Sequence, residues 1–315
     1  MLNTSWLHCS LQRRLLQVGL IGLLFAMAAQ ARTFDPDNIL VSSDNTIYEV
    51  TKAGVLVDSF PVDNVGSEVA RDLVIDEDGL LHVFNGTLFP KLSTYDPDTE
   101  TWEHNTFAGW STANQYSYGG IATYGQYIFV TDMETLGSGE PSGIVRFDKS
   151  DGYSAVRFSV GQGYIDLNIG LDGNLYALQV GEHDTDVFDP VTMVYDKTVF
   201  IESFVRGVSV NHIGQYLGVS LDGTMHRFSP LGFGEASLPS QLNNPTEIDV
   251  NGAGLVMVGS INGGVVFADE TMNSRHGGFL IGTAEPSFVA FVDRIVFSDN
   301  FEYGDTRRWS LRVSD

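Results

Sequence analysis

The amino-acid sequence predicts an all-β protein, a six-bladed β-propeller closed by its C-terminal strand. The first observation is the segment from Ala70 to Phe107, in which four short apolar runs are separated by turns at Asp76–Gly79, Asn85–Gly86 and Asp96–Asp98. Apolar runs of this length, bounded by Gly, Pro, Asn and Asp, are typical of β-strands joined by tight turns. The second observation is that this four-strand unit recurs along the chain. The third is a single apolar strand that remains after the last unit.

The turns recur at regular spacing along the chain, and this spacing supports a repeat more strongly than the strands alone. The turn after each third strand recurs at spacings of 45, 52, 41, 40 and 40 residues, at Thr51, Asp96, Asp148, Asp189, Ser229 and Asp269. The glycine turn between first and second strands recurs at Gly79, Gly125, Gly173, Gly214 and Gly252. One blade cannot bury both of its faces, so units of this period stack into a propeller. A β-sandwich, the alternative, would not require six similar units.

Each predicted strand is an apolar or β-branched run between two such turns. In chain order the blades read Ile39 to Ser43, Thr46 to Val50 and Val55 to Phe60; Leu73 to Ile75, Leu80 to Phe84, Leu92 to Tyr95 and Thr101 to Phe107; Gly120 to Thr123, Tyr127 to Thr131, Ile144 to Phe147 and Ala155 to Val160; Asp166 to Ile169, Leu175 to Gln179, Val187 to Phe188 and Thr198 to Ile201; Val208 to Val210, Tyr216 to Ser220, Met225 to Phe228 and Ala236 to Leu238; Ile248 to Val250, Leu255 to Gly259, Val265 to Phe267 and Gly278 to Ile281.

The first blade lacks an inner strand, and the run Phe288 to Val292 is left over behind Glu285-Pro286. We expect this run to pair beside Ile39 to Ser43 and to close the ring, which removes the free edges that an open ring would expose. Ile295 to Ser298 could compete for the same position. The predicted propeller therefore spans residues 38–298.

The first 31 residues predict a secretory signal. Arg13 and Arg14 precede an apolar run from Leu15 to Ala29, and cleavage is expected after Ala31, which ends a small-x-small site. A transmembrane anchor is the alternative, but the run is shorter than the ~20 apolar residues that a spanning helix needs. The one cysteine, Cys9, would leave with the signal. We therefore expect an exported protein, periplasmic or extracellular, without a membrane span in the mature chain.

The charge of the chain argues against nucleic acid as a partner. The formal net charge is -23, from 17 Lys and Arg against 40 Asp and Glu. This charge repels a phosphate backbone unless a local basic stripe offsets it, and the sequence has no such stripe.

The phrases RDLVIDEDGLLHVFNG, IDLNIGLDGNLYAL and GVSVNHIGQYLGVS resemble blade openings of the six-bladed NHL, streptogramin-lyase and gluconolactonase-like propellers. This resemblance covers nearly the whole mature chain and implies the architecture, which does not fix a function. The histidine and glutamate set of the lyases cannot be placed, and the metal-ligand motifs of the gluconolactonases are not intact. The end of the chain, residues 299–315, resembles a C-terminal tail of secreted bacterial proteins, with Phe301, Glu302, Gly304, Asp305 and Trp309 among the matches.

Aligned inner strands place an acidic residue ahead of the apolar run in the second, fourth and sixth blades, at Asp72, Asp166 and Glu247. Three carboxylates that converge on the central channel repel one another unless they are protonated, hydrated, paired with Arg71 or Arg206, or bridged by a hard cation such as calcium. The alternative is that these acids bind backbone N–H groups of neighbouring blades.

If a cation binds there, we expect it to orient a ligand, with Trp110, Tyr116 and Tyr118 as an apolar wall and Arg206 as a partner for an anionic group. Two classes of function remain open. The first is a scaffold that binds a small molecule, a glycan or a protein. The second is a metal-dependent hydrolase or lyase with its site in the central channel.

Overall fold

Twenty-four strands and one short 3-10 turn make up the part of the chain that the structure describes. The structure is a computed structural model, and it describes residues 33–63, 65–66, 68–86, 90–110, 119–133, 142–181, 184–282 and 287–292. The 3-10 turn is Lys149–Asp151. The strands are β1 Asn38–Ser43, β2 Thr46–Thr51, β3 Leu56–Pro61, β4 Ala70–Ile75, β5 Leu81–Asn85, β6 Lys91–Asp96, β7 Thr101–Asn105, β8 Ile121–Tyr124, β9 Tyr127–Asp132, β10 Gly143–Asp148, β11 Ser154–Phe158, β12 Tyr164–Ile169, β13 Leu175–Gln179, β14 Asp184–Phe188, β15 Tyr195–Phe200, β16 Gly207–Val210, β17 Tyr216–Val219, β18 Thr224–Phe228, β19 Gly234–Pro239, β20 Pro245–Val250, β21 Leu255–Ser260, β22 Gly264–Asp269, β23 Arg275–Leu280 and β24 Ser287–Phe291.

These strands form six antiparallel four-stranded sheets, so the predicted six-bladed propeller is confirmed. Blade 1 consists of β24, β1, β2 and β3, and blades 2 to 6 each take the next four strands in order. In every blade the strand named first is innermost. The inner strands contact one another in sequence, β24 to β4, β8, β12, β16, β20 and back to β24. The six sheets therefore form a closed ring.

The closing strand pairs as expected from the sequence. β24 is antiparallel to β1, with Ile39 opposite Phe291 and Ser43 opposite Ser287. The observed strand begins and ends one residue earlier than the predicted run Phe288 to Val292. The competing segment Ile295 to Ser298 lies outside the described residues.

Side-chain caps explain why the turns recur. After three of the inner strands, one side-chain oxygen accepts hydrogen bonds from the second and fourth following N–H groups, at Asp76, Asn211 and Asn251. The turns after third strands are capped in a similar way, for example at Asp189, which accepts bonds from Val191 N and Thr192 N. Short acceptor side chains stabilise such turns by bonding to nearby backbone. In the sixth blade the predicted Gly252 lies in the turn between β20 and β21, and Gly254 of the same turn takes the left-handed conformation (φ +74°) that favours glycine.

The hydrophobic core is divided among the blade junctions. Six clusters of buried apolar side chains are found in the described chain, one for each pair of neighbouring blades. The cluster between blades 1 and 2, for example, contains Leu40 and Phe288 on one side and Leu73 and Tyr95 on the other. Because each sheet buries both faces, a blade depends on its two neighbours for stability.

Candidate functional site

The three acidic residues predicted to converge on the channel occupy equivalent positions in alternate blades. Each follows a β-bulge near the start of its inner strand, where the pairing shifts between Ala70 and Asp72, between Tyr164 and Asp166, and between Pro245 and Glu247. A bulge re-aims the side chain that follows it. These bulges direct all three acids toward the next blade.

Each acid hydrogen-bonds to backbone of the next blade. The Oδ2 atom of Asp72 accepts from Ile121 N at 2.8 Å, and Oδ2 of Asp166 accepts from Val208 N at 2.7 Å. Glu247 closes the ring in the same way, since its Oε2 accepts from Val289 N at 2.9 Å. The carboxylates therefore join blade 2 to 3, blade 4 to 5 and blade 6 to 1. We call these contacts the carboxylate clamps.

The blades between them carry small residues at the equivalent position. A Cβ atom at Gly120 would lie 2.1 Å from Leu167 N, and one at Gly207 would lie 3.0 Å from Ile248 N. The inner strands of blades 3 and 5 thus approach the following blade with backbone against backbone. Blade 1 differs, because Phe288 stands at this position and packs into the core between blades 1 and 2.

A second polar layer lies two residues further along the inner strands. Asp249 accepts hydrogen bonds through Oδ1 from Val250 N at 2.8 Å, from Ser209 Oγ at 3.3 Å and from Asn168 Nδ2 at 3.4 Å. Asp249, Asn168 and Ser209 are buried. Blades 4, 5 and 6 therefore meet through side chains at this level. Sequence reasoning missed this layer, although its members follow Asp166, Gly207 and Glu247 by two residues.

Burial and mutual repulsion act on these carboxyl groups. Burial raises the pKa of Asp72 well above its usual range, and the nearby charges of Asp166 and Asp249 raise it further. Burial also raises the pKa of Glu247, with added repulsion from Asp72 and Asp166. The backbone N–H groups in the clamps oppose both shifts. The arrangement holds acidic groups near one another at an energetic cost, which protonation relieves.

The axial carboxylates are the candidate ligands for a metal ion. Within the described chain, no group of three or more His, Cys, Asp or Glu residues has the arrangement of a metal site. Both oxygens of Asp72 and of Asp166 already accept backbone hydrogen bonds, including those from Leu73 N and Leu167 N. These carboxylates fit the alternative stated from the sequence, in which they bind backbone N–H groups of neighbouring blades. Calcium at this position stays a prediction.

The predicted ligand-binding residues lie in different surroundings. Arg71 is buried at the bulge of β4, and its Nε donates to Gly86 O at 2.6 Å. Arg206 is partly buried ahead of β16, and its backbone N donates to Val219 O. Trp110 packs between blades 2 and 3, with ring centroids 5.9 Å from Phe84 and 6.1 Å from Phe147. Its contacts are thus with the core of that junction. Tyr116 and Tyr118 lie outside the described residues.

A buried ionic network at the opposite end of blade 2 was not predicted. His82 Nε2 lies 2.8 Å from Asp76 Oδ2, and Lys149 Nζ of blade 3 lies 2.6 Å from the same oxygen. Burial opposes ionisation of Asp76, but the hydrogen bonds and charges of His82 and Lys149 prevail and lower its pKa to about 2. This network joins blades 2 and 3. Because His82, Asp76 and Lys149 are paired with one another, we assign the network a structural role.

Large apolar side chains are exposed together where blades 4 and 5 meet. The turn at Gly232 rests on blade 4, because a Cβ atom there would lie 1.8 Å from Phe200 O. Glu202 fastens the contact, since its N donates to Gly232 O and its Oε2 accepts from Gly234 N. Phe200, Leu231 and Phe233 are 61%, 73% and 64% exposed. We call these three residues the outer patch.

Within the described part of the chain, we find no helix with the length and apolar character that crossing a membrane requires.

Comparison with known proteins supports the architecture. No protein-family model matches the chain, and no curated protein sequence matches it. A chain in the crystal structure of a nidogen/laminin complex is similar in fold, with a TM-score of 0.62 at 14% sequence identity. The match covers 80% of this chain and 97% of that chain. At this identity the likeness shows the fold alone, and it agrees with the six-bladed propeller.

Proposed function

We propose that this protein is an exported propeller scaffold that binds a protein partner through the outer patch. The observation that carries the proposal is the exposure of Phe200, Leu231 and Phe233 at one blade junction. Soluble proteins rarely expose several large apolar side chains together, and such patches are typical of interaction sites. Aromatic side chains are also enriched at protein interfaces.

The surroundings of the outer patch supply a polar rim. Arg227 Nε lies 3.2 Å from Glu235 Oε2, and Gln215 Nε2 donates to the same carboxylate at 2.6 Å. Glu202, which fastens the junction, adds a further acidic group. An apolar centre with a polar rim is the usual composition of a protein interface.

The partner is a different protein rather than a second copy of the chain. Each copy carries a formal net charge of -23, so two copies repel each other, whereas a basic partner is attracted. The nidogen/laminin structure is a complex between proteins, which is consistent with a propeller in such a role.

Site-specific photo-crosslinking in the producing cells tests this proposal. A photoreactive phenylalanine analogue is placed at Leu231 and, as a matched control, at Leu280, which is also 73% exposed but lies on blade 6. We expect one crosslinked partner from Leu231 and none from Leu280. The substitution Phe233→Ser, made in the Leu231 derivative, is expected to remove that product.

Three outcomes contradict the proposal. They are equal crosslinking from both positions, no crosslinking from Leu231, and a product that consists of two copies of this chain. Sedimentation of the purified protein detects the last case independently.

A second candidate, a metal-dependent hydrolase or lyase of the central channel, is favoured by the convergence of Asp72, Asp166, Glu247 and Asp249. Burial, and then mutual repulsion, raise the pKa values of Asp72 and Glu247, and under this proposal calcium offsets both effects. Calorimetric titration of calcium into metal-free protein tests it. Absence of binding, or equal binding to Asp166→Asn, rejects the site.

We propose export, to the periplasm or beyond, on the basis of the N-terminal sequence and of the tail-like residues 299–315. The grouping with NHL and streptogramin-lyase propellers rests on the blade phrases alone and is part of the same proposal. The intact mass of protein recovered from the producing cells tests the expected cleavage after Ala31. A mass that includes residues 1–31 would contradict it.

A further inference from the structure

A cavity of about 360 Å³ opens on the side of blade 4, next to the segment that joins blades 3 and 4. Its wall includes Gln162 of that segment, Tyr164 of β12 and Gln179 of β13. Ser159 of the same segment, Asp186 of β14 and Tyr195 and Thr198 of β15 complete the polar part of the lining. The residues that line the cavity include none of the axial acids and none of the outer patch, although Thr198 and Phe200 both lie on β15.

The wall of the cavity holds a carboxylate in a fixed position. Tyr164 OH donates to Asp186 Oδ2 at 2.8 Å, and Thr198 Oγ1 donates to Asp186 Oδ1. Tyr195 OH lies 2.9 Å from Thr198 Oγ1 and continues the chain of hydroxyl groups outward. Asp186 is only 5% exposed, whereas Tyr195 is 53% exposed. The cavity therefore has a rigid polar wall and an aromatic ring at its mouth.

Gln179 of β13 supplies an amide group to the lining of the cavity. The residue is 8% exposed, and it lies on the wall of the cavity. An amide group can both donate and accept hydrogen bonds, so it can bind a hydroxyl group of a ligand. This amide lies at the wall of the cavity, where a bound molecule can reach it.

The lining selects for a neutral ligand rich in hydroxyl groups. None of the described residues that line the cavity is Lys, Arg or His, so no described lining residue compensates an anion. The amides of Gln162 and Gln179 can both donate and accept, which matches hydroxyl groups. The exposed ring of Tyr195, with Phe188 6.0 Å away in an edge-on arrangement, offers an apolar surface to the C–H face of a sugar ring.

We infer that this cavity binds one sugar residue of a glycan. The volume of about 360 Å³ corresponds to roughly twelve water molecules at ~30 Å³ each, which suits a ring of hexose size. Gln179 and Asp186 bind the hydroxyl groups, and Tyr195 packs against the ring. The inference goes beyond the proposed protein partner and does not depend on it.

Calorimetric titration tests the inference with glucose, galactose, mannose, N-acetylglucosamine and cellobiose as probes at millimolar concentrations. We expect at least one probe to bind. Gln179→Met keeps the length of the side chain and removes the amide, and it should weaken that binding by about tenfold while the melting temperature is unchanged. Gln126→Met, at an exposed turn between β8 and β9, is the matched control and should bind as the parent does.

The aromatic contact is tested in the same way. Tyr195→Ala should abolish binding, whereas Tyr195→Phe, which keeps the ring, should retain most of it. Phe233→Ala removes an aromatic ring of the outer patch that is 64% exposed, and it should leave sugar binding intact. This last variant separates the sugar site from the proposed protein interface.

Three results would overturn the inference. They are no binding of any sugar, binding that is unchanged in Gln179→Met, and binding of choline chloride in preference to the sugars. Choline binding would identify a cation site formed by Asp186 and the aromatic rings.

Discussion

Blades 2, 4 and 6 carry an acid near the ring axis, and blades 3 and 5 carry a glycine at the same position. The two groups of blades contact the next blade in different ways. In blades 2, 4 and 6 a carboxylate reaches across to a backbone N–H group of the next blade. In blades 3 and 5 the residue at that position is Gly120 or Gly207, and backbone packs directly against backbone. The ring therefore alternates joints made by a side chain with joints made by close approach.

This difference shows that the six blades are equivalent in topology but not in contact chemistry. A carboxylate clamp holds its neighbour through a hydrogen bond, and it places a costly charge near the axis. A glycine joint carries no charge, but it leaves no room for a side chain. Blade 1 follows neither scheme, because Phe288 fills the core there.

The largest expected effect comes from removal of the closing joint. A chain that ends before Glu285 lacks β24, so Glu247 loses its partner Val289 N, blade 1 loses its inner strand, and blades 2 and 6 lose their contacts with that strand. We expect loss of the cooperative fold, measured by urea unfolding and circular dichroism. A chain that ends at Asp299 retains β24 and is the matched control, for which we expect an unchanged melting temperature. A cooperative fold in the shorter chain would contradict closure by β24.

A side chain at a glycine joint should cost the next largest amount. Gly120→Ala places a Cβ atom 2.1 Å from Leu167 N and 2.6 Å from Asp166 C, and backbone cannot move as freely as a side chain. We expect a loss of about 3 kcal/mol in the free energy of unfolding. Gly207→Ala should cost only about 1 kcal/mol, because its nearest backbone atom would be 3.0 Å away. Urea unfolding of the two variants tests this ranking, and equal stability of Gly120→Ala and the parent would refute it.

Loss of a clamp should have a moderate effect. Asp166→Ala leaves Leu167 N and Val208 N without their acceptor, while it relieves the repulsion on Asp72 and Glu247. We expect a net loss of about 2 kcal/mol in the free energy of unfolding. Asp166→Asn keeps one acceptor oxygen and should lose less. If Asp166→Ala is more stable than the parent, repulsion among the axial acids outweighs the hydrogen bonds of the clamp. The claim that the clamp stabilises the ring would then be wrong.

The smallest expected effect is the pH dependence that Asp72 and Glu247 add to the free energy of unfolding. The ordinary pKa values are 3.8 for Asp72 and 4.5 for Glu247, and both are raised in the folded protein. The folded state then binds more protons, so the stabilising contribution is complete below these values and is lost as the pH rises through the raised pKa values.

The double variant Asp72→Asn, Glu247→Gln should therefore lose about 1 kcal/mol less stability than the parent between pH 4 and pH 7. Urea unfolding at four pH values measures this, with the exposed Asp98→Asn variant as the control. A parent and double variant with parallel profiles would show that these two groups titrate alike in the folded and unfolded states.

The six-bladed ring could be predicted from the sequence because the turn residues recur in every blade. Asp76, Asn211 and Asn251 accept hydrogen bonds from backbone N–H groups only two and four residues away. Because these caps are local, the sequence pattern indicates the turns that they stabilise. The positions of Asp72, Asp166 and Glu247 were also correctly aligned across alternate blades. Their contacts were not determined by that alignment, since a cation and a backbone N–H group were both compatible with it.

The rest of the candidate sites could not be predicted in this way. Trp110 is a large aromatic residue of the kind that often lines a ligand site. In the structure it contacts Phe84 and Phe147 in the core between blades 2 and 3. Gln179 is an ordinary strand residue in the sequence, and only its burial beside a cavity makes its amide notable.

The sequence by itself determined the number of blades, their strand order and the closure by a C-terminal strand, because strand periodicity and turn chemistry act over a few residues. Only the tertiary structure decided what the acids contact, where the apolar side chains of blades 4 and 5 meet and which polar groups line a cavity. These features depend on residues that are distant in the chain, such as Asp72 and Ile121, which are 49 positions apart. Across a blade junction, the identity of the partner is set by how two twisted sheets pack, and no local pattern encodes that packing.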